Sequence, residues 1–221
     1  MGEPLMQRLH ILAPTLLEYW AVRCMLPRAR ASRAGVRLAR WHGAREGTVV
    51  VVCGLAGALR SGLRPGTVLV PEQVGLPDGR ILRCDAALVA TLVAAARAAG
   101  FQPETGPLLT APSLIVGRAR RDWARRDFVA ADMETGLLAE RALRVATIRV
   151  VLDSPEHEIS PEWLRPTNAV RHPRVWRELF RLCRDAPRYS LRAARVLKVG
   201  LNAAPCSMAA QEDLNNPPRP H

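Results

Sequence analysis

The sequence predicts an α/β fold: a single three-layer domain with a central, mixed and twisted sheet flanked by helices, plus a C-terminal helical extension. Strand-like and helix-like segments alternate from the N-terminus to Asp153, which is the pattern of such folds. Residues 48–52 and 145–152 are mostly β-branched and apolar, as central strands covered on both faces are. After Asp153 the sequence becomes rich in proline and then basic and amphipathic, so the sheet should end there.

This change of character divides the chain into three parts. Residues 5–165 should form the α/β domain, residues 166–202 a basic amphipathic helical extension, and residues 203–221 a disordered tail. The apolar positions within 170–199 fall into two groups, so they predict a pair of helices that packs on the core or on a partner subunit. The alternative is a helix at a membrane surface, with arginines on one face and aromatic residues on the other.

Apolar runs, periodicity and turn residues predict the elements of the domain one by one. They place strands at 9–13, 36–41, 48–52 and 67–71, a strand-and-loop segment at 107–116, and helices at 16–26, 85–100 and 118–126. The strand at 36–41 should be half exposed, because apolar and basic residues alternate there. The helix at 118–126 should be exposed, because it is strongly basic. Asp78-Gly79 predicts a hairpin turn.

A glycine-containing sequence follows the strand at 48–52. The residues C-G-L-A-G-A-L place Gly54 and Gly57 where a tight turn and a close approach of the backbone to a ligand are permitted. The spacing is neither G-x-G-x-x-G nor that of a phosphate-binding loop, so a Rossmann cofactor site is not predicted.

Charge and cysteine usage limit the partners and the compartment. The formal net charge is +12, and Lys198 is the only lysine among the 32 basic residues, which indicates a coding bias towards arginine. Such a charge attracts nucleic acid, phosphorylated substrates or anionic lipid, but no nucleic-acid-binding motif accompanies it, so nucleic acid is not a predicted partner. The five cysteines show no paired spacing, and no signal peptide or membrane span is apparent, so we expect a cytoplasmic protein.

Two acidic residues are the main candidates for chemistry. Glu134 precedes a helix, and Asp153 ends the strand at 145–152, where ligands bind in open α/β sheets. Asp153 and Glu18 each lie at the end of a predicted strand or helix, and each also has a purely structural explanation. Asp153 is also explained as a strand-end carboxylate paired with Arg149 or a C-terminal arginine, and Glu18 as a charge that favours a helix start.

Three motifs follow one another in the chain: C-G-L-A-G-A-L at 53–59, D-M-E-T-G-L-L-A at 132–139 and R-V-V-L-D at 149–153. Together they resemble the nucleoside phosphorylase and nucleosidase superfamily, which includes purine nucleoside phosphorylases and methylthioadenosine/S-adenosylhomocysteine nucleosidases. The resemblance covers about residues 9–160, and the D-M-E motif is its most specific part. Among the branches, the chain is most similar to hopanoid-associated phosphorylases, which act on an adenosyl-linked hopanoid lipid.

The resemblance implies cleavage of the N-glycosidic bond of an adenosine-type nucleoside, without a metal or a redox cofactor. It assigns Asp153 to the leaving base, which an acid protonates or hydrogen-bonds at N7. It assigns Glu134 to the ribose hydroxyls, with Met133 packing on the sugar, and Glu18 to the attacking water. The residues that it places around the base are Ala56, Gly57, Leu114 and Ile115. It also implies a small-molecule nucleoside as partner, lipid-linked in the hopanoid branch with peripheral membrane contact, and a homo-oligomer.

Several positions depart from the family pattern. Leu152 stands where the family has a serine, and the positions of its phosphate-binding arginine and serine are occupied by Val52 and Leu55. The stretch 36–48 is too short for the usual second strand, glycine turn and helix. These departures favour water as the nucleophile over phosphate as a co-substrate, unless Arg60 replaces the missing phosphate ligands. They also leave a non-catalytic member that binds a nucleoside or a partner as the alternative function.

Overall fold

The structure is a computed structural model that describes residues 9–43, 48–141, 143–159 and 173–215, with the side chains of the last helix described for 180–203. Within these ranges the strands of one mixed sheet are β1 (Leu9–Ala13), β2 (Ala31–Arg33), β3 (Val49–Ala58), β4 (Val68–Leu69), β5 (Gln73–Gly75), β6 (Ile81–Arg83), β7 (Leu108–Thr110), β8 (Ala130–Asp132) and β9 (Arg144–Asp153). The helices are α1 (Leu16–Met25), α2 (Ala86–Ala98), α3 (Arg118–Ala124), α4 (Thr135–Ala139) and α5 (Pro173–Asn215), with a 3₁₀ turn at Val36–Leu38.

Strand β3 is the centre of the sheet. It pairs in parallel with β1 on one side and with β9 on the other, while its last two residues pair antiparallel with β8. Beyond β8 the order continues through β7, β5 and β6, and β2 lies outside β1. The carboxyl ends of β3 and β9 therefore meet β8 at one edge, which positions the candidate residues that follow these strands.

Alternate residues of β3 face two separate apolar clusters. Val49 and Val51 belong to the larger cluster, which α1, α2 and α5 cover. Val50 and Val52 belong to a smaller one, to which α4 contributes Leu138. Helices therefore cover both faces, and the predicted α/β fold with a mixed sheet is confirmed.

Local sequence signals account for the elements that agree with the prediction. Strand β1 begins and ends where its apolar run does, and Thr15 caps α1 by accepting a hydrogen bond from the Glu18 backbone N–H. Asp85 caps α2 in the same way through Leu88 N–H. The predicted hairpin at Asp78-Gly79 joins β5 and β6.

Three local predictions are wrong. Residues 36–41 form the 3₁₀ turn instead of a strand, and both Arg37 and Leu38 have positive φ angles, at 54° and 60°. Residues 53–58 continue β3 instead of turning, because their glycines make room for side chains from other elements. Helix α3 is basic but not wholly exposed, since Arg120 is buried beneath it.

Helix α5 is one continuous helix where the sequence predicts a pair. Ala193, Ala194, Val196 and Leu197 are buried in the larger cluster, and the helix packs against α1, α2 and the central strands. Because these residues are buried against the sheet and the other helices, this part of α5 belongs to the core. The helix continues to Asn215, inside the segment predicted to be disordered. The boundaries at 5–165, 166–202 and 203–221 stay a prediction.

In the ranges that the structure describes, no helix combines the length and the apolar character that crossing a membrane requires.

Candidate active site

A buried arginine organises one half of the site. Arg149, in the middle of β9, is 1% exposed, and its Nη2 lies 2.6 Å from Asp132 Oδ2 and 3.1 Å from Glu134 Oε2. Its Nη1 donates to the Leu55 carbonyl at 3.3 Å. A guanidinium has enough donors for several partners in one plane, so Arg149 fixes β3, β8 and the start of α4 to one another.

Glu134 lies among groups that shift its pKa in opposite directions. One of its oxygens faces Arg149, and the other accepts the Arg37 backbone N–H at 3.1 Å. Arg37 and the next residue, Leu38, both have positive φ angles. Burial raises the pKa of Glu134 to about 7, and the neighbouring Asp132 and Glu18 carboxylates act in the same direction, while Arg149 opposes them. Near neutral pH the group therefore exchanges a proton readily, and it can accept or donate hydrogen bonds to hydroxyl groups.

Glu18 projects from α1 onto the middle of β3. Its Oε1 accepts the Leu55 backbone N–H at 2.7 Å, and its Oε2 accepts the Thr15 N–H at the same distance. A Cβ on Gly54 would lie 2.5 Å from Glu18 Oε1 and 2.8 Å from Arg149 Nη1. Glu18 therefore closes the capping box of α1, as its structural interpretation requires, and its carboxylate also lies within the acidic group around Arg149. Its catalytic role stays a prediction.

The other half of the site is an ion pair that the sequence did not predict. Asp153 is paired with Arg120 of α3, not with Arg149 or a C-terminal arginine, and both side chains are almost fully buried. Asp153 also accepts the Ile159 backbone N–H at 3.2 Å. Burial raises the pKa of Asp153, and Arg120 opposes that shift.

The structure explains why a leucine is tolerated at position 152, directly before Asp153. Ala56 of β3 pairs with Val151, but Gly57 pairs with Asp153, so Leu152 is the extra residue of a β-bulge. Its side chain lines a separate cavity of about 600 Å³ between β9 and α5. The bulge turns Asp153 towards β3, where a Cβ on Gly57 would lie 2.8 Å from Asp153 Oδ1.

A small cavity of about 40 Å³ separates the two halves. Arg120 and Gly57 line it from the Asp153 side, and Asp132 and Met133 line it from the Arg149 side. Its volume admits at most a few water molecules. A nucleobase therefore needs the lining to open. The candidate for movement is the described loop between β7 and α3, which contributes Leu114 and Ile115.

A wider cavity of about 290 Å³ lies beside the small one, and Met133 is common to both. Arg37, Arg80 and Glu140 line it together with Thr110 and Pro112. It is large enough for a sugar or for a substituent on one.

The structure brings most of the predicted site residues together. The small cavity is lined by Met133, Gly57, Leu114 and Ile115. Glu134 lines neither cavity, but it accepts the backbone N–H of Arg37, which lines the wider one. Ala56 differs, because its side chain packs in the larger apolar cluster. The roles assigned to these residues stay predictions.

Sequence reasoning missed Arg149, Arg120 and Asp132 as site residues. Arg149 could have been found, because a lone arginine inside a buried strand requires acidic partners nearby. Arg120 gave no such signal, since it lies among exposed arginines of α3.

The guanidinium that lies near Gly54, that of Arg149, already donates to the Leu55 carbonyl, Asp132 and Glu134, so it is not free to hold a phosphate. The resemblance assigns the family's phosphate-binding positions to Val52 and Leu55, which have no charged side chain, and the Leu55 N–H already donates to Glu18. Arg60, the predicted replacement, pairs with Glu104 at 2.8 Å on the surface. The lack of a required metal or cofactor stays a prediction.

Comparisons with known proteins identify the family. The model of the phosphorylase superfamily matches residues 12–179, which is more than half of the chain. The chain belongs to the phosphorylase superfamily. The predicted family and the predicted enzyme class, nucleosidase or phosphorylase, are confirmed. No protein with a curated description matches the chain significantly in sequence.

Solved structures share the fold of this phosphorylase-superfamily chain. A futalosine hydrolase mutant of Helicobacter pylori has a TM-score of 0.66 and 12% identity, covering 88% of this chain and 98% of that one. The 5′-methylthioadenosine/S-adenosylhomocysteine nucleosidase of Neisseria meningitidis has a TM-score of 0.65 and 14% identity, with coverages of 88% and 98%. The S-adenosylhomocysteine nucleosidase of Streptococcus pyogenes has a TM-score of 0.65 and 16% identity, with coverages of 87% and 95%. At these identities the similarity concerns the fold alone.

Proposed function

We propose that the chain cleaves the N-glycosidic bond of an adenosine-type nucleoside and uses water as the nucleophile. One observation supports this above the others. The acidic group around Arg149 and the Arg120–Asp153 pair lie on either side of a single cavity lined by Met133 and Gly57. A nucleoside has a sugar that becomes positive and a base that becomes negative as the bond breaks, and the two halves of the site carry the complementary groups.

The ribose of the substrate is assigned to Glu134. Its carboxyl group lies beside Met133 in sequence and next to the wider cavity, and Arg149 and the Arg37 N–H hold both oxygens in place. A carboxylate held in this way accepts hydrogen bonds from ribose hydroxyls without losing its orientation. Buried negative charge from Glu18, Asp132 and Glu134 also favours an oxocarbenium-like sugar.

Water is favoured over phosphate because the Gly54 region presents a carboxylate where a phosphate needs donors. Glu18 occupies the Leu55 N–H, and its remaining lone pairs can orient a water and accept its proton. A phosphate dianion beside Glu18 would meet charge repulsion. Water attack therefore releases free base and ribose, and phosphate should not accelerate the reaction.

Release of adenine from purified protein tests this proposal. Adenosine, 5′-methylthioadenosine and S-adenosylhomocysteine would each be incubated with and without phosphate, and free adenine measured by chromatography. We expect release from at least one compound in both buffers, with Glu134→Gln at least about 100-fold slower and the surface variant Asp122→Asn unchanged. Adenine binding by calorimetry without any release would favour the non-catalytic alternative.

A lipid-linked nucleoside is the second candidate substrate. The helix that carries Glu18 also exposes Leu16, Leu17 and Trp20, at 52%, 39% and 59% exposure. Such a patch beside a catalytic group suits the lipid part of a substrate or a membrane surface, and a second copy of the chain is the competing occupant.

Flotation with anionic liposomes separates these occupants. Deleting α5 is not a suitable variant, because its residues complete the core. Trp20→Ser should reduce flotation several-fold, whereas Ile81→Ser, which changes an exposed side chain on β6, should not. Unchanged flotation of Trp20→Ser, with a shift from dimer to monomer in sedimentation, would instead assign the patch to a second copy.

A further inference from the structure

The inference concerns the group that stabilises the leaving base, and it rests on the proposed function. Arg120 is one of five arginines between 118 and 126, and it is 1% exposed while Arg118, Arg121, Arg125 and Arg126 are exposed. Its Nη1 donates to the Ala58 carbonyl at 2.7 Å and its Nε to the Ile115 carbonyl at 2.9 Å. Its Nη2 donates to Asp153. The guanidinium is therefore fixed in one orientation.

These contacts leave Asp153 poorly suited to donate a proton. Its carboxyl group accepts from the Arg120 guanidinium and from the Ile159 N–H, and both donors favour the charged carboxylate. Arginine does not lose its proton in proteins, so protonating Asp153 would leave a buried guanidinium facing a neutral acid. Burial raises the pKa of Asp153 and so acts against these two donors. As long as the ion pair with Arg120 persists, Asp153 has no proton to give.

Arg120 itself is well placed to act on the base. Its side chain lines the small cavity between Gly57, Leu114 and Met133. Each terminal nitrogen of a guanidinium carries two hydrogens, and the contacts to Ala58 and Asp153 each need only one. The second hydrogens are available to an acceptor in the cavity, where the excluded water makes such hydrogen bonds strong.

We propose that Arg120 is the catalytic residue that stabilises the leaving base, and that Asp153 is a positioning residue that orients it. The C1′–N9 bond breaks and its electron pair passes to the base. Arg120 donates hydrogen bonds to a ring nitrogen of the base and keeps its proton. Water forms the new C1′–O bond and gives a proton to Glu18, and the anionic base takes its proton from solvent. Bonds and charges therefore balance without proton transfer from Asp153.

Two nucleosides with the same sugar test this assignment. Adenine is a poor leaving group, whereas 6-chloropurine, with its more acidic ring N–H, leaves more easily and needs less stabilisation. Arg120→Met should lower kcat/KM for adenosine by about 1,000-fold and for 6-chloropurine riboside by about 10-fold. Arg120→Lys should lower both kcat/KM values by smaller factors, again with the larger loss for adenosine. The exposed Arg121→Met should leave both kcat/KM values unchanged.

Asp153→Asn keeps an oxygen that can accept from Arg120, so we expect a loss of about 10-fold for both nucleosides and no change in the shape of the pH profile. If Arg120 had only a structural role, each Arg120 variant would lower kcat/KM for the two nucleosides by the same factor, because only the folded fraction of the protein would change. That result would overturn the inference. A larger loss in Asp153→Asn than in Arg120→Met, with a wild-type rate that falls as pH rises through the pKa of Asp153, would overturn it as well. If the wild type cleaves only a 5′-substituted compound, the pair with that substituent replaces these two nucleosides. If it cleaves none of adenosine, 5′-methylthioadenosine and S-adenosylhomocysteine, the proposed function fails, and this inference with it.

Discussion

Replacing Gly54 by alanine tests how closely Glu18 and Arg149 approach β3. The added Cβ would lie 2.5 Å from Glu18 Oε1 and 2.8 Å from Arg149 Nη1, closer than the 3.0 Å below which a Cβ essentially never lies. Glu18 must retreat, and its bonds to the Leu55 and Thr15 backbone N–H groups then lengthen from 2.7 Å. Overpacking costs about 1–3 kcal/mol and a weakened hydrogen bond to a charge about 1.5–3 kcal/mol.

We expect the free energy of unfolding to fall by about 2–4 kcal/mol, which lowers Tm by about 5 to 15 °C in a domain of this size. Calorimetry measures that shift, and adenine release per folded molecule should fall by at least about 10-fold, because Glu18 moves away from the water it orients.

Gly75→Ala provides the matched control for this experiment. Its Cβ would overlap the Phe128 ring, so the variant should be destabilised as well, but no carboxylate of the site is displaced. Activity per folded molecule should remain near that of the wild type. A Gly54→Ala protein with unchanged Tm and activity would refute the close approach. Parallel losses of activity in both variants would refute the specific role of Glu18.

Three further predictions concern buried groups. Arg149→Met should destabilise the protein by about 3–5 kcal/mol in urea unfolding, since Asp132 and Glu134 lose their partner, and adding Asp132→Asn should recover part of that loss. The pKa of Glu134 is about 7 in the folded protein against 4.5 in the unfolded chain, so the stability that Glu134 contributes is fully present below pH 4.5 and falls by about 3 kcal/mol as pH rises to 7. Glu134→Gln should remove this contribution from the measured pH dependence of unfolding, and an unchanged dependence would contradict the assignment. Leu197→Ala in α5 should cost about 2–5 kcal/mol, whereas an extension outside the core would lose almost nothing.

The sequence predicted those parts of the fold that depend on local signals. Apolar runs with clear ends located β1 and β9, and apolar periodicity between turn residues located α1 and α2. Glycine was misread at 53–58, where its role is to make space inside a strand. That space is needed by Glu18 and Asp153, which lie far away in the chain.

The candidate site was predictable only through its motifs. The D-M-E triplet and the acid at the end of β9 located Glu134 and Asp153 without showing what each carboxyl group contacts. Arg120 lies 33 residues before Asp153, and nothing in its local pattern distinguishes it from the exposed arginines beside it. Burial of one among several like residues is decided by tertiary packing, which single-sequence periodicity does not contain.

The position of α5 in the core has a consequence for biosynthesis. Residues of α5 between Ala193 and Leu197 pack in the cluster that includes Ile11 of β1 and Val22 of α1, so β1 and α1 complete their packing only after the later-translated α5 is made. Contacts between residues so far apart in the sequence form slowly, because much of the chain between them must become ordered before the contacts stabilise it. Helix α1, which carries Glu18, packs against α5. A ribosome-bound chain that stops before residue 193 therefore has its motifs but no working active site, and it exposes apolar strands to chaperones during that interval.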